Sequence, residues 1–208
     1  MKPKILGNLR WLGHASFLLR AGEKNIYFDP YGIKEGLPKA DLILITHPHF
    51  DHLSPEDIAR VWRKGSVVVI PETASSGLSY QNHISIRPGE EVSVGEFRIR
   101  ALPAYNVDKA FHPREKNWVG YLVETPLGSV YHAGDTDFIP EMRGLKADVA
   151  LLPVGGTYTM DWREAAEAAR AMEIGAAVPM HWGRVVGSRR DAELFAENFP
   201  AAEILEEG

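Results

Sequence analysis

The sequence predicts an α/β protein of many short strands and few helices, and three observations carry that expectation. Apolar or alternating runs of about four to eight residues recur along the chain, each broken by Gly or Pro, which is how strands read. Only three segments carry clear helix start signals. Strands crowd the first part of the chain and then alternate with helices. Two sheets packed face to face with helices outside, a four-layer α/β/β/α sandwich, would bury the apolar faces. The pattern alone leaves other arrangements open.

In chain order, strands are expected at Ile5 to Trp11, Ser16 to Arg20, Asn25 to Phe28, Asp41 to Ile45, Val67 to Ile70, Ile84 to Arg87, Glu91 to Val94 and Phe97 to Ala104. A second set follows at Val119 to Glu124, Ser129 to His132, Val149 to Leu152 and Ala176 to Met180, with Leu127-Gly128 marking a hairpin turn. The first helix starts at Ser54-Pro55-Glu56-Asp57, where Ser54 caps, Pro55 suits the first turn and two acids complement the helix dipole. It is expected to reach about Lys64 and stop at Gly65. Asp161 opens an alanine-rich helix through Met172, with Gly175 just past its end. A third helix is expected from Ser188 to Asn198, ended by Pro200, and a weaker helical segment after Glu72. No low-complexity linker or short repeat interrupts the 208 residues, so residues 1–208 are read as a single domain.

Composition narrows the chemistry. With no cysteine, disulfides, thiol nucleophiles and thiolate ligands are excluded, so any metal must be held by imidazole and oxygen donors. A net charge of −5 disfavours broad nucleic-acid binding, which needs a basic face. Residues 1–7 lack the apolar stretch of a signal peptide, and no run of apolar residues is long enough to span a membrane. A cytoplasmic protein acting on a small molecule is therefore expected, without membrane attachment; a homo-oligomer remains open.

The densest chemistry follows the buried strand Asp41-Leu42-Ile43-Leu44-Ile45. The loop leaving it reads His47-Pro48-His49-Phe50-Asp51-His52. Histidines on a loop can converge on one point, whereas neighbours on a regular strand diverge. His47 and His49 could reach one ion, and Asp51 and His52 a second beside it. Two more donors lie at strand ends. Asp135, in His132-Ala133-Gly134-Asp135-Thr136, could span two ions with its two oxygens, and His181 follows the strand ending at Met180. Either alone reads as a turn former or a packed histidine.

On these residues the chain resembles the metallo-β-lactamase superfamily. Thr46-His47-Pro48-His49-Phe50-Asp51-His52, then Gly134-Asp135-Thr136, then Met180-His181-Trp182, occur in that family's order. The stretches Trp11-Leu12-Gly13-His14-Ala15-Ser16 and Leu152-Pro153-Val154-Gly155-Gly156-Thr157-Tyr158 look like its small hydrolases related to ascorbate-phosphate lactonases. The resemblance implies the α/β/β/α sandwich, with ions at one edge between the sheets. It implies that His47 and His49 bind a first metal, that Asp51, His52 and His181 bind a second, and that Asp135 bridges. A further histidine that such proteins supply to the first metal is absent from Pro103-Ala104-Tyr105-Asn106. Asn106 is a weak oxygen donor at that spot, and His112 could fold back to substitute. His14 is expected near the site, and His132 is expected to orient a ligand from behind.

The implied activity is hydrolysis of a lactone, amide or phosphoester by a metal-activated water. Zinc is expected, with manganese or iron as alternatives and one or two ions bound. Asp51 is the candidate proton acceptor. The basic loop Lys109 to Lys116 suggests that Arg114 receives an anionic substrate group. Alternatives are a nuclease of RNA or phosphodiesters, and a degenerate metal-binding protein without catalysis, motivated by the absent histidine.

Overall fold

The computed structural model describes residues 2–75 and 82–208. Among them, twelve strands form two six-stranded sheets in the orders β1-β2-β3-β4-β5-β6 and β12-β11-β10-β9-β8-β7. In the first sheet the strands are β1 (Leu9–Gly13), β2 (Ser16–Ala21), β3 (Lys24–Phe28), β4 (Leu42–Leu44), β5 (Val67–Pro71) and β6 (His83–Ile86). In the second they are β7 (Glu91–Val94), β8 (Phe97–Pro103), β9 (Val119–Thr125), β10 (Gly128–His132), β11 (Lys146–Pro153) and β12 (Glu173–Met180). Each sheet is antiparallel on one side and parallel on the other, β3 to β6 and β10 to β12 forming the parallel halves.

Period-two alternation assigns each face of the first sheet. Phe17, Leu19, Ile26, Phe28, Leu42, Leu44 and Val69 face the second sheet and join the main core. Leu18, Tyr27, Ile43, Ile45, Val68 and Ile70 face the other way and pack with Ile58 and Val61 of helix α1 (Pro55–Val61). Helices α2 (Trp162–Ala171) and α3 (Arg189–Asn198) lie against β11 and β12 through Ala165, Ala168, Ala169, Ala192 and Phe195. The layers are thus α/β/β/α.

Local details depart from the sequence expectation in four places. Lys4–Asn8 is a 3-10 helix rather than a strand, with both Ile5 and Leu6 buried; the strand begins only at Leu9. Pro3 starts that turn, its carbonyl accepting from the Leu6 amide. Helix α1 stops at Val61 instead of Lys64 because its end is captured from outside: the Val61 carbonyl accepts from the Ala40 amide and the Arg60 carbonyl from Lys39 Nζ. Gly175 lies inside β12, where a Cβ would meet Pro3 Cγ at 2.8 Å. The segment expected after Glu72 is a single 3-10 turn, Glu72–Ala74, and its continuation falls partly outside the described residues. No helix among the described residues is long and apolar enough to cross a membrane.

Candidate metal centre

The ends of strands β1, β4, β10 and β12 and the loop from β8 to β9 meet along one rim of the sandwich. There the structure brings eight side chains into two groups: His47, His49, His112 and Asp135; and His14, Asp51, His52 and His181. Within each group one donor atom per residue lies within 4.8 Å of the others. Seven of the eight are buried, and His49 is half-buried.

Asp135 stands between the groups. Its Oδ2 is 3.2 Å from His112 Nε2 and 3.1 Å from His181 Nε2, and its Oδ1 is 3.2 Å from His52 Nε2. His47 Nε2 faces His49 Nδ1 at 3.0 Å, and His14 Nε2 faces Asp51 Oδ2 at 3.0 Å. These separations are those of donors sharing a cation held at about 2.0–2.2 Å from each.

The outer nitrogens determine what the inner ones can do. Thr46 Oγ1 donates its only proton to Asp29 Oδ2, so toward His47 Nδ1, 3.0 Å away, it can only accept. Neutral His47 therefore carries its proton on Nδ1 and a lone pair on Nε2. His52 in its neutral form donates from Nδ1 to the same Asp29 Oδ2 at 2.7 Å, leaving Nε2 as the lone pair. Asn106 donates from Nδ2 to Asp137 Oδ1 and to the Tyr158 carbonyl, which fixes its Oδ1 as the acceptor for His112 Nδ1 at 3.1 Å. His112 Nε2 is again a free lone pair. Three imidazoles are thus held from behind with Nε2 aimed at the centre, the arrangement that tunes metal-binding histidines.

Seven buried side-chain polar atoms among the described residues have no hydrogen-bond partner. Six of them are His14 Nδ1, His52 Nε2, His112 Nε2, Asp135 Oδ1 and both ring nitrogens of His181. Orphaned buried polar atoms are costly and rare, and His52 Nε2, His112 Nε2, His181 Nε2 and Asp135 Oδ1, which face one another across the centre, fit a cation. An all-nitrogen and oxygen donor set suits a divalent metal.

Electrostatics favour open donors at His14, His47, His49, Asp51 and Asp135 and run the other way at His52, whose proton a cation would have to displace. Burial, with help from neighbouring imidazoles, pushes His47 well below the usual range and also lowers His49. Burial likewise takes His14 down to about 4 against the opposing effect of its hydrogen bond to Asp51. For His52 burial pulls down, but Asp135 and Asp29 outweigh it and hold the ring well above the imidazole range. Burial would raise Asp51 and Asp135; the surrounding histidines win, and both lie below the ordinary carboxylate value.

The backbone is shaped to suit. His14 and His181 both have positive φ, 52° and 61°, and Asp29 has 40°. Such conformations persist only where surroundings enforce them. The His14 carbonyl accepts from both the His181 amide (3.0 Å) and the Trp11 indole (2.9 Å), and Trp11 stacks on Trp182 at 4.4 Å.

Against the sequence expectation, His47, His49, Asp51, His52, Asp135 and His181 all lie in the two groups. His14 and His112 join them as donors in position. Asn106 does not: it sits behind His112, because both of its amide protons and its oxygen are already committed. His132 is also behind the centre, its Nε2 on the Ala15 carbonyl, its Nδ1 accepting from the Gly134 amide and its ring stacked on Phe28. Arg114 does not reach the cavity beside the centre; it pairs with Glu141 at 2.9 Å and lies over the Tyr105 ring. Sequence reasoning missed Asp29, the buried carboxylate shared by Thr46 and His52. Its signal was an acid directly after the buried run Ile26-Tyr27-Phe28, much as Asp135 follows β10.

A family profile described as a beta-lactamase superfamily domain matches residues 8–181. The chain belongs to the metallo-β-lactamase superfamily. Within this superfamily it is 35% identical over 205 residues to a UPF0173 metal-dependent hydrolase of Caldivirga maquilingensis, covering 91% of this chain and 88% of the relative. It therefore belongs to the UPF0173 metal-dependent hydrolases. A solved structure described as a metal-dependent hydrolase from Parabacteroides distasonis superposes with a TM-score of 0.85 at 31% identity, covering 95% of this chain and 93% of that one. Igni18, a metallo hydrolase from Ignicoccus hospitalis, gives a TM-score of 0.78 at 25% identity, with 96% and 95% covered. The superfamily fold and the two donor groups coincide: this chain is a metal-dependent hydrolase.

Proposed function

We propose that this hydrolase cleaves a small molecule carrying a lactone, amide or phosphoester bond, with one cation in each donor group and zinc as the metal. The observation that carries the reading is the gathering of eight His and Asp side chains into two groups, the donor atoms of each lying within 4.8 Å of one another. His47, His49 and His112 would hold one cation and His14 or Asp51, His52 and His181 the other, with Asp135 shared. When bound, such a cation supplies Lewis acidity and lowers the pKa of a water to about 7.

The chain's own residues do the rest. Asp51 lines the cavity, and the His14 contact at its Oδ2 holds the carboxylate ionised. Its Oδ1 is then the atom that accepts a proton from the attacking water. Asp29, Thr46 and Asn106 keep the imidazoles in one tautomer, so the donors need no reorganisation during the reaction.

The presence of His112 among the donor atoms of the first group supports the catalytic reading over a degenerate metal-binding one. A nuclease reading finds little support, because no Lys or Arg is among the described residues that line the cavity. The ascorbate-phosphate lactonase resemblance favours a lactone as the first substrate class to try. The deciding experiment strips the protein with chelator, counts the metal by elemental analysis, and assays lactone, amide and phosphodiester panels before and after adding back zinc, manganese or iron. Hydrolysis should vanish on stripping and return with one of these ions. Turnover that survives complete metal removal ends the reading.

A further inference from the structure

The cavity beside the donor groups has a volume of about 250 Å³, and beyond the donors its lining is apolar: Phe50, Phe111, Tyr158 and Val185. Five large hydrophobic side chains are exposed among the described residues, and three of them, Phe50 (67%), Phe111 (48%) and Val185 (51%), are at this one mouth. Scattered exposed hydrophobics need no explanation, but a cluster around a pocket marks a ligand contact. The rings are not loose. Phe111 packs edge-on to Tyr158 with centroids 4.8 Å apart, and Phe50 meets Tyr31 at 5.8 Å.

Val185 is the most telling of the four. Its φ of 60° is the left-handed region, which a β-branched residue avoids. The neighbouring Arg184 holds the loop there: its guanidinium donates to the Gly32 carbonyl at 2.9 Å and pairs with Glu207. It lies so close over Gly13 and Gly32 that a Cβ on either would collide with it. A strained, exposed valine pinned at a cavity mouth is explained if it touches a substrate.

Among the described residues, no Lys or Arg lines the cavity to receive an anionic substrate group. Arg114 is engaged by Glu141, and Lys109 by Asp137 at 2.6 Å with Glu164 beyond at 3.8 Å. Resting on the reading of the centre as a hydrolytic metal site, we infer that the substrate's non-reacting part is an uncharged apolar group, aromatic or branched aliphatic, and that Val185 selects it. A cavity of about 150 Å³ accommodates benzene, so this one has room for a single ring and a reacting carbonyl.

Three hydroxamic acids test this by calorimetric binding to the zinc-loaded protein, without any need for turnover. Acetohydroxamate carries almost no tail, benzohydroxamate an apolar ring, and 4-carboxybenzohydroxamate the same ring with a negative charge. Benzohydroxamate should bind at least tenfold more tightly than acetohydroxamate, and the carboxylated compound should lose that gain. Val185→Lys, at an exposed position and checked for folding by circular dichroism, should weaken benzohydroxamate about fivefold and strengthen the carboxylated compound. Binding of all three with equal affinity, or tightest binding of the carboxylated one to the unaltered protein, overturns the inference while leaving the metal centre intact. Failure of all three to bind, with no zinc retained on elemental analysis, overturns the metal reading and the inference with it.

Discussion

The two donor groups look alike in composition but are held in place by different means. In the group of His47, His49 and His112, the outer ring nitrogens of His47 and His112 rest on neutral oxygens, those of Thr46 and Asn106. In the group of His14, Asp51, His52 and His181, the outer nitrogen of His52 rests on the Asp29 carboxylate, and two histidines sit at strained positive φ. A carboxylate behind an imidazole makes it a stronger donor than an amide does. The second group should therefore hold its cation more tightly, and the first should be the one that empties first on dilution or mild chelation.

The largest test of this asymmetry removes what the groups share. Asp135→Ala deletes the carboxylate facing both, so hydrolysis should fall by about a thousandfold or more and bound metal should drop at both sites. Loss of metal from one group alone would mean that Asp135 serves only that group.

A somewhat smaller effect is expected from pH on the metal-free protein. His14, at about 4, and His47 and His49, also lowered, stay neutral when folded but protonate near 6.5 when unfolded. Their contribution is complete above pH 6.5 and is lost as pH falls toward their folded values; for His14 alone this is about 3 kcal/mol. His52 has the opposite sign: its raised value contributes below 6.5 and is lost as pH rises through it. Urea titrations of metal-free protein from pH 4 to 9 should show stability falling on the acid side, and bound zinc should protect. Stability that rises from pH 6.5 to 4 would contradict the buried neutral imidazoles.

The smallest effects sharpen the comparison directly. Asn106→Ala should weaken the first cation by about 10–100-fold and leave the second unchanged, whereas Asp29→Asn should weaken both, because Asp29 backs His52 directly and His47 through Thr46. Competition titrations with a coloured chelator would resolve the two affinities. Equal losses at both sites from Asn106→Ala would show that the groups are not independently supported.

Much of this fold is legible in the sequence because short apolar runs punctuated by Gly and Pro leave little choice of element. All twelve strands coincide with or overlap an expected run. What is not legible depends on contacts between distant segments. Helix α1 ends early because Lys39 and Ala40 cap it from another part of the chain. The first segment turns in a 3-10 helix, although Ile5 to Trp11 is apolar enough for a strand. For the site, the compact His47 to His52 loop declares itself by spacing. His112 emerges from the sequence only as an option, since its reach depends on how the β8–β9 loop folds over the rim. Asn106 lies in the expected neighbourhood but supports a donor instead of being one. Its carbonyl oxygen is spent on the back of His112, a detail only a hydrogen-bond network reveals. Arg114 carries the right charge for an anion, but Glu141 neutralises it.

Both donor groups draw on both sheets. His47 and His49 follow β4 of one sheet, while His112 and Asp135 hang from the other; His14, Asp51 and His52 belong to the first sheet, and His181 to the second. A bound ion is therefore a rivet through the sandwich as much as a reagent. At a free concentration a thousand times its dissociation constant, each ion would add about 4 kcal/mol to the stability of the folded chain. A chelator should therefore lower the urea midpoint of this protein as well as stop its chemistry, because each ion would tie one sheet to the other.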